Sequence, residues 1–298
     1  VFAALAGLVL TARQHASGTG DDAVDAVVRA GALLAGARPT NNSVGDVVRA
    51  VTSQLGSLTG RAPGLSGRDV AAVVEGLAAG QARLFRRRAA LLAGHAAGLL
   101  ADGALLLTHC WMDTYLIALV RAAAMAGKRF RYVATETRPY LQGARLTAHT
   151  LAEMGQDVTL VTDGMAAAVL SPQSGLGRVD ALVTAADRVS MDGHVFNKVG
   201  TLGAAVAASA FSVPFYVLIQ APDPLSPTAA DVVVEQRDGD EVLSVQGVRT
   251  ASPLVVKGYY PAFDVTPPRF VSGIVTDRGV YSASQVSDYF DRTEDAGR

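Results

Sequence analysis

The sequence holds little cysteine, few aromatics and no excess of charge of either sign. Of 298 residues one is Cys and one is Trp, aromatics make up 6% and charged residues 18%. A single thiol, Cys110, cannot close an internal disulfide or build a cysteine zinc cluster, and it suits a reducing cytoplasm. With 26 Lys and Arg against 27 Asp and Glu, the formal charge is −1. The basic excess of a general nucleic-acid binder is missing, and so is the charge imbalance of a disordered chain. Long hydrophobic runs are missing too. The opening Val1–Leu10 is apolar, but no basic stretch precedes it and it ends at Thr11-Ala12-Arg13. That is short of the roughly 20 apolar residues a membrane span needs. Glycine-rich phosphate loops of the nucleotide-hydrolase type and a Gly-x-Gly-x-x-Gly turn after the first sheet strand are both lacking. The expectation is a cytoplasmic protein with no nucleic-acid or membrane partner, no nucleotide cofactor and no metal. A start without Met, inside an apolar helix, is expected of a chain that lacks an N-terminal piece.

What is present is a large apolar inventory. Half the residues are hydrophobic, and the length allows about two domains of roughly 150 residues each. The first hundred residues read as helices. Asp21–Leu34 carries Ala and Val at helical spacing. Pro39 stops it, and Asn41-Asn42-Ser43 can cap a helix bearing Val44, Val47, Val48 and Val51. Residues 57–67 read as a Gly, Ser and Pro loop, and 67–98 as a long helix whose Arg86-Arg87-Arg88 is a solvated face. From Asp102 the grammar changes. Short apolar runs at 104–109, 130–135, 157–162, 181–184 and 213–219 alternate with helical stretches, one of them 144–154. Such alternation means βαβ units and a parallel sheet covered on both faces. Further strands are expected at 231–234 and 241–248, a coil at 258–268, and a short capped helix from Ser282. The expected fold is of the α/β class: a helical N-terminal domain over 1–100, then a doubly wound, mainly parallel Rossmann-like sheet domain over 101–298.

In an open parallel sheet, ligands bind at the carboxyl ends of the strands. The successive strand ends carry Thr108-His109-Cys110-Trp111, Thr135-Glu136-Thr137-Arg138, Thr162-Asp163-Gly164, Ala185-Ala186-Asp187-Arg188 and Gln220. Cys110, near the start of the next helix, is expected to feel a lowered thiol pKa from the helix dipole, as suits a base or nucleophile. Its alternative is a small buried hydrophobe. His109 reads as a satisfied structural histidine. Asp187 follows an uncharged run, so a partly desolvated carboxyl there could act as a general acid; an ion pair with Arg188 or a helix cap is the alternative. Asn197-Lys198-Val199-Gly200-Thr201-Leu202-Gly203 precedes an Ala-rich helix. Its glycines, its helix N-terminus and the Lys198 charge favour an anion such as phosphate; the alternative is an ordinary helix start.

Four segments in order carry a likeness: Ala37-Arg38-Pro39-Thr40, Leu107-Thr108-His109-Cys110, the run from Thr135 to Ala148, and Ala186-Asp187-Arg188 with Asn197-Lys198-Val199-Gly200-Thr201. The coil Pro261–Pro267 fits as well. The chain resembles the superfamily of methylthioribose-1-phosphate and ribose-1,5-bisphosphate isomerases, relatives of the regulatory subunits of translation initiation factor 2B. The resemblance implies a catalytic pair, Cys110 and Asp187. It implies substrate contacts from Arg38, Gln142, Asn197, Lys198 and Gly200, and a homodimer or larger oligomer. It further implies an Arg-Gly-Ala-Pro loop upstream of the first apolar helix, which this sequence does not contain. His109-Cys110 continues as Trp111-Met112-Asp113-Thr114, a shortened stretch closer to the bisphosphate branch. The translation-factor relatives usually lack the Cys and the Asp, and both stand here. The implied activity is aldose–ketose isomerisation of a 1-phosphorylated ribose derivative to the ribulose 1-phosphate. A 1,5-bisphosphate substrate is one alternative, and a non-catalytic sensor of sugar phosphate or nucleotide is the other.

Overall fold

A computed structural model describes residues 1–60 and 64–291. The chain divides into two compact units, Val1–Arg87 and Arg88–Arg298. In the first, α1 (Phe2–Gln14), α2 (Gly20–Gly36), α3 (Asn42–Thr59) and the start of α4 (Gly67–Leu99) pack on one another. Their starts follow ordinary capping chemistry. Thr19 Oγ1 accepts from the Asp22 N–H at 3.2 Å, and Asn41 Oδ1 accepts from the Val44 N–H at 3.3 Å. The apolar stripes close into one core around Leu8, Val27, Val51, Leu55 and Val74.

The end of α4, from Arg88 onward, falls within the second unit and is bonded to it. The Arg88 guanidinium binds the Asp277 carboxylate and the Tyr289 hydroxyl, and His95 Nδ1 lies 3.0 Å from the Thr276 carbonyl oxygen.

The second unit is built on a seven-stranded sheet. Its strands, in chain order, are β1 (Leu105–Thr108), β2 (Arg131–Thr135), β3 (Asp157–Val161), β4 (Ala181–Ala185), β7 (Phe215–Leu218), β11 (Gly273–Thr276) and β12 (Gly279–Tyr281). The spatial order is β12-β11-β7-β4-β1-β2-β3. All neighbours pair in parallel except β11 and β12. Helices α5 (Thr114–Met125), α6 (His149–Glu153), α7 (Ala166–Leu170) and α8 (Thr201–Ala210) intervene. Strands buried on both faces need continuous apolar runs, and β1, Leu105-Leu106-Leu107-Thr108, is buried at every position. Leu107, Leu182, Val217 and Ile274 form the core with Ala204, Ala205 and Ala208 of α8. The chain runs outward from β1 to β3, then returns to lay β4, β7 and β11 on the other side. The switch in direction lies between β1 and β4, and in open parallel sheets ligands bind at the carboxyl ends beside such a switch.

A smaller sheet of β5 (Arg188–Val189), β6 (Val195–Lys198) and β10 (Phe263–Thr266) is antiparallel. Here the sequence reading is corrected. The stretch 258–268 contains strand β10, because Phe263–Thr266 completes the ladder of β6. Residues 231–234 are not a strand. Thr228 and Asp231 cap each other at that point, which winds the chain into a short 3₁₀ turn. Residues 241–248 hold α9 (Asp240–Leu243) and the small hairpin of β8 (Ser244–Val245) with β9 (Val248–Arg249). This excursion is closed at its neck: a Cβ on Gly239 would lie 2.2 Å from the Gly258 carbonyl oxygen, so only two glycines can pass each other there. Helix 144–154 is divided, with a π-helix over Gly143–Ala148 ahead of α6. Among the described residues no helix is long and apolar enough to cross a membrane.

Candidate active site

The carboxyl ends of β1 and β4 carry the expected thiol and carboxylate. Cys110 stands two residues past β1 and Asp187 two residues past β4. Their side chains interact electrostatically: burial, and next the Asp187 carboxylate, push the Cys110 thiol up to about 11. This corrects the expected lowering. The dipole of α5 does favour a thiolate, but α5 starts only at Thr114, and loss of water costs the charged form more. Gln142 Nε2 donates to Cys110 Sγ at 3.3 Å and opposes the rise, while the Gln142 Oε1 atom is buried with no hydrogen-bond partner.

The backbone around the thiol is strained. Cys110, Asp113, Thr137 and Leu141 have φ of 73°, 49°, 63° and 61°. Positive φ is costly for side-chain-bearing residues, and for a β-branched Thr especially. Such residues persist at about 1–3 kcal/mol each only where surrounding bonds over-determine them. Those bonds are present. The Cys110 N–H donates to Thr137 Oγ1 at 3.0 Å, Thr147 Oγ1 donates to the Cys110 carbonyl at 2.5 Å, and the Leu141 N–H donates to the Thr137 carbonyl at 2.7 Å. The Asp163 carboxylate accepts from the Thr137 and Arg138 N–H groups at 2.7 and 2.6 Å. The π-helix, a form that recurs at functional sites, follows directly. It begins at Gly143, where a Cβ would come within 1.8 Å of the Thr135 carbonyl oxygen. The Arg138 guanidinium reaches away to the Val242 and Ser244 carbonyls, which ties the loop to the excursion.

His109 is structural, as expected. It is buried at 3% exposure. Nε2 lies 2.9 Å from the Val199 carbonyl, which can only accept, so Nε2 carries the hydrogen; Nδ1 then accepts from the Thr135 hydroxyl at 2.6 Å. Burial lowers its pKa and the nearby Asp163 acts against that, so the ring is neutral near pH 7. Gly200, at φ 109°, lies against this ring, where a Cβ would meet Cε1 and Nε2 at 2.8 Å.

Asn197 and Lys198 end β6 beside that contact. Asn197 Nδ2 donates to Thr201 Oγ1 at 3.0 Å. Lys198 is buried at 5% exposure. Its ammonium donates to the Tyr260 hydroxyl at 3.2 Å and lies over the Tyr260 and Phe263 rings. At the N-terminus of α8, Asp264 Oδ2 accepts from the Gly200 and Leu202 N–H groups at 2.7 and 3.0 Å, so a carboxylate of the chain holds these two donors. Burial raises Asp264 to about 6, against the pull of those same bonds. Arg188 turns to Asp223 at 3.1 Å. Arg38 belongs to the first unit, in the turn between α2 and α3. Among the described residues no group of three His, Cys, Asp or Glu side chains could hold a metal ion.

The residues not found by reading strand ends are Thr147, Tyr260 and Asp264. Thr147, like the strand-end residue Thr137, acts through backbone geometry, which no composition signal marks. Tyr260 and Asp264 lie on a segment that reads as coil, far along the chain from the strands it serves.

The fold is that of a Rossmann-like sheet protein, and its candidate site sets a thiol near a carboxylate. The chain belongs to the initiation factor 2 subunit family, whose model matches residues 1–283. It is 40% identical over 260 residues to a methylthioribose-1-phosphate isomerase of Anaeromyxobacter sp. (strain K), a match covering 84% of this chain and 72% of that protein. Among solved structures, 5-methylthioribose 1-phosphate isomerase from Pyrococcus horikoshii OT3 superposes with a TM-score of 0.80 at 29% identity, covering 97% of this chain and 81% of that one. The translation initiation factor eIF-2B subunit delta from A. fulgidus gives 0.76 at 33% identity, covering 94% and 82%.

Proposed function

We propose that the chain is an aldose–ketose isomerase that converts a 1-phosphorylated ribose derivative, methylthioribose-1-phosphate in the first instance, to the ribulose 1-phosphate. The observation that carries this reading is the pairing of Cys110 with Asp187 across the sheet's switch point. The relatives named as isomerases support it.

A 1-phosphorylated furanose cannot open by itself, because its anomeric oxygen is esterified. The ring oxygen must first be protonated. At neutral pH the ligand-free thiol holds its proton, since its pKa is about 11. In the proposed sequence that proton passes from Cys110 to Asp187, and from Asp187 to the ring oxygen as the bond from C1 to that oxygen breaks. The resulting thiolate takes the proton from C2, and a C1–C2 double bond forms. The thiol returns that proton to C1, while Asp187 takes the proton of the C2 hydroxyl and the ketone forms. Proton transfer from Asp187 back to the thiolate restores the starting state. Each positioned acid–base group contributes about 10²- to 10⁴-fold.

Lys198 supplies positive charge for the phosphate or a sugar oxygen. The open acceptor of Gln142 suits a sugar hydroxyl, because a buried oxygen without a partner is unfavourable until one arrives. Asn197 orients the same strand end, and Gly200 gives close approach of backbone. We further place the protein in the cytoplasm, where its sole thiol stays reduced, as a homodimer or larger oligomer.

Turnover of a panel of ribose 1-phosphates that carry methylthio, phosphate or hydroxyl at carbon 5 tests the reading. Preference for the methylthio compound supports it, preference for the bisphosphate moves the chain to the other branch, and no turnover of any member ends the enzymatic assignment.

A further inference from the structure

We propose that Tyr260 is a positioning residue: its hydroxyl fixes the ammonium of Lys198 beside the Cys110–Asp187 pair. The inference rests on the isomerase reading for its consequence in turnover, but not for its geometry. Tyr260 is 2% exposed and Lys198 5%. The Lys198 Nζ donates to Tyr260 Oη at 3.2 Å, and it stands 5.3 Å from the centre of the Tyr260 ring and 5.1 Å from that of Phe263. Aromatic faces attract a cation without giving it a direction. The phenol oxygen adds a directed acceptor, and a long flexible lysine stem needs one to hold a single geometry.

The tyrosine is itself held from two sides. Lys198 lies opposite Phe263 in the β6–β10 ladder, and the Val199 N–H donates to the Ala262 carbonyl at 3.2 Å. On the other side the Ala262 N–H donates to the Glu235 carbonyl at 2.8 Å, and the Arg237 N–H to the Tyr260 carbonyl at 2.9 Å. The coupling reaches the reacting thiol. Lys198 acts electrostatically on Cys110 in the sense that favours the thiolate, and Tyr260 and Cys110 also feel one another. Burial, the largest influence on Tyr260, keeps the phenol protonated. A neutral phenol can accept from the ammonium without cancelling its charge.

The test uses the sole cysteine of the chain as its own probe. Alkylation of Cys110 by iodoacetamide is followed against pH in the wild type, Tyr260→Phe, Lys198→Met and the double variant. Phe keeps the ring under the ammonium and removes only the hydroxyl. Lys198→Met should move the alkylation profile to higher pH, because a neighbouring positive charge is lost. Tyr260→Phe should move it the same way by less, with its melting temperature unchanged, and the double variant should coincide with Lys198→Met. A Tyr260→Phe profile that overlies the wild type, or shifts that add in the double variant, overturns the proposal. In turnover, Tyr260→Phe should raise KM roughly tenfold, the scale of one hydrogen bond to a charged group, with a smaller change in kcat. If no sugar 1-phosphate is turned over, the isomerase reading falls while the thiol titration still decides the role of Tyr260.

Discussion

In the proposed reaction Cys110 concentrates the chemistry in one atom, and its environment sets what that atom can do. Without substrate the thiol sits at about 11, so its alkylation should be slow near neutral pH and rise steeply toward that value. Cys110→Ser should lower turnover by about 10²-fold or more while the melting temperature holds, because the hydroxyl is similar in size but a far weaker acid. Asp187→Asn should lose turnover on the same scale and still bind the phosphate ester. Full activity in either variant removes the proposed pair. Asp264 gives a separate prediction at this scale. Its folded pKa of about 6 lies above the ordinary carboxylate value. Folding therefore favours the protonated form, and that stabilisation is present below about pH 4 and lost as pH rises through 6. Asp264→Asn keeps an acceptor for the Gly200 and Leu202 N–H groups and stays neutral throughout. Melting temperatures of the two proteins across that window should converge at low pH, and the variant should lack the wild-type slope.

Among the elements, the π-helix at Gly143–Ala148 is the one most tightly specified. Gly143→Ala would drive a methyl into the Thr135 carbonyl at 1.8 Å. Backbone cannot move aside as a flexible side chain can, so the expected outcome is a loss of several kcal/mol in denaturant unfolding, of the order seen for overpacked cores or worse. Stability equal to the wild type would mean that the segment adopts another winding. The sequence made the parallel strands legible, because Leu105–Thr108, Arg131–Thr135 and Ala181–Ala185 are short apolar runs with helices between them. It did not make the π-helix legible, since Gly143–Ala148 has the same composition as an α-helix and differs only in the contact that Thr135 forces. Strand β10 was hidden for a related reason. Phe263–Thr266 lies between prolines and looks like coil until β6 supplies its partner. The thiol and the carboxyl could be read from their places after β1 and β4. The direction of the thiol's shift could not, because it depends on how much water the folded crevice excludes.

At the scale of the whole molecule, two compact units share one chain, and the sheet unit holds every expected site residue except Arg38. Light scattering of the intact protein should give at least twice the mass of one chain; a strictly monomeric species would refute the proposed association. The excursion from Gly239 to Gly258 leaves and re-enters the unit through a single point where two backbones touch. Whatever lies beyond that point is free to lengthen, shorten or be exchanged as a cassette without altering the register of any strand in the large sheet. The guanidinium of Arg138 grips this detachable piece by its carbonyl oxygens rather than its side chains, so a replacement of different sequence can still be gripped. Descendants of one scaffold can in this way exchange a surface piece and keep the large sheet unchanged.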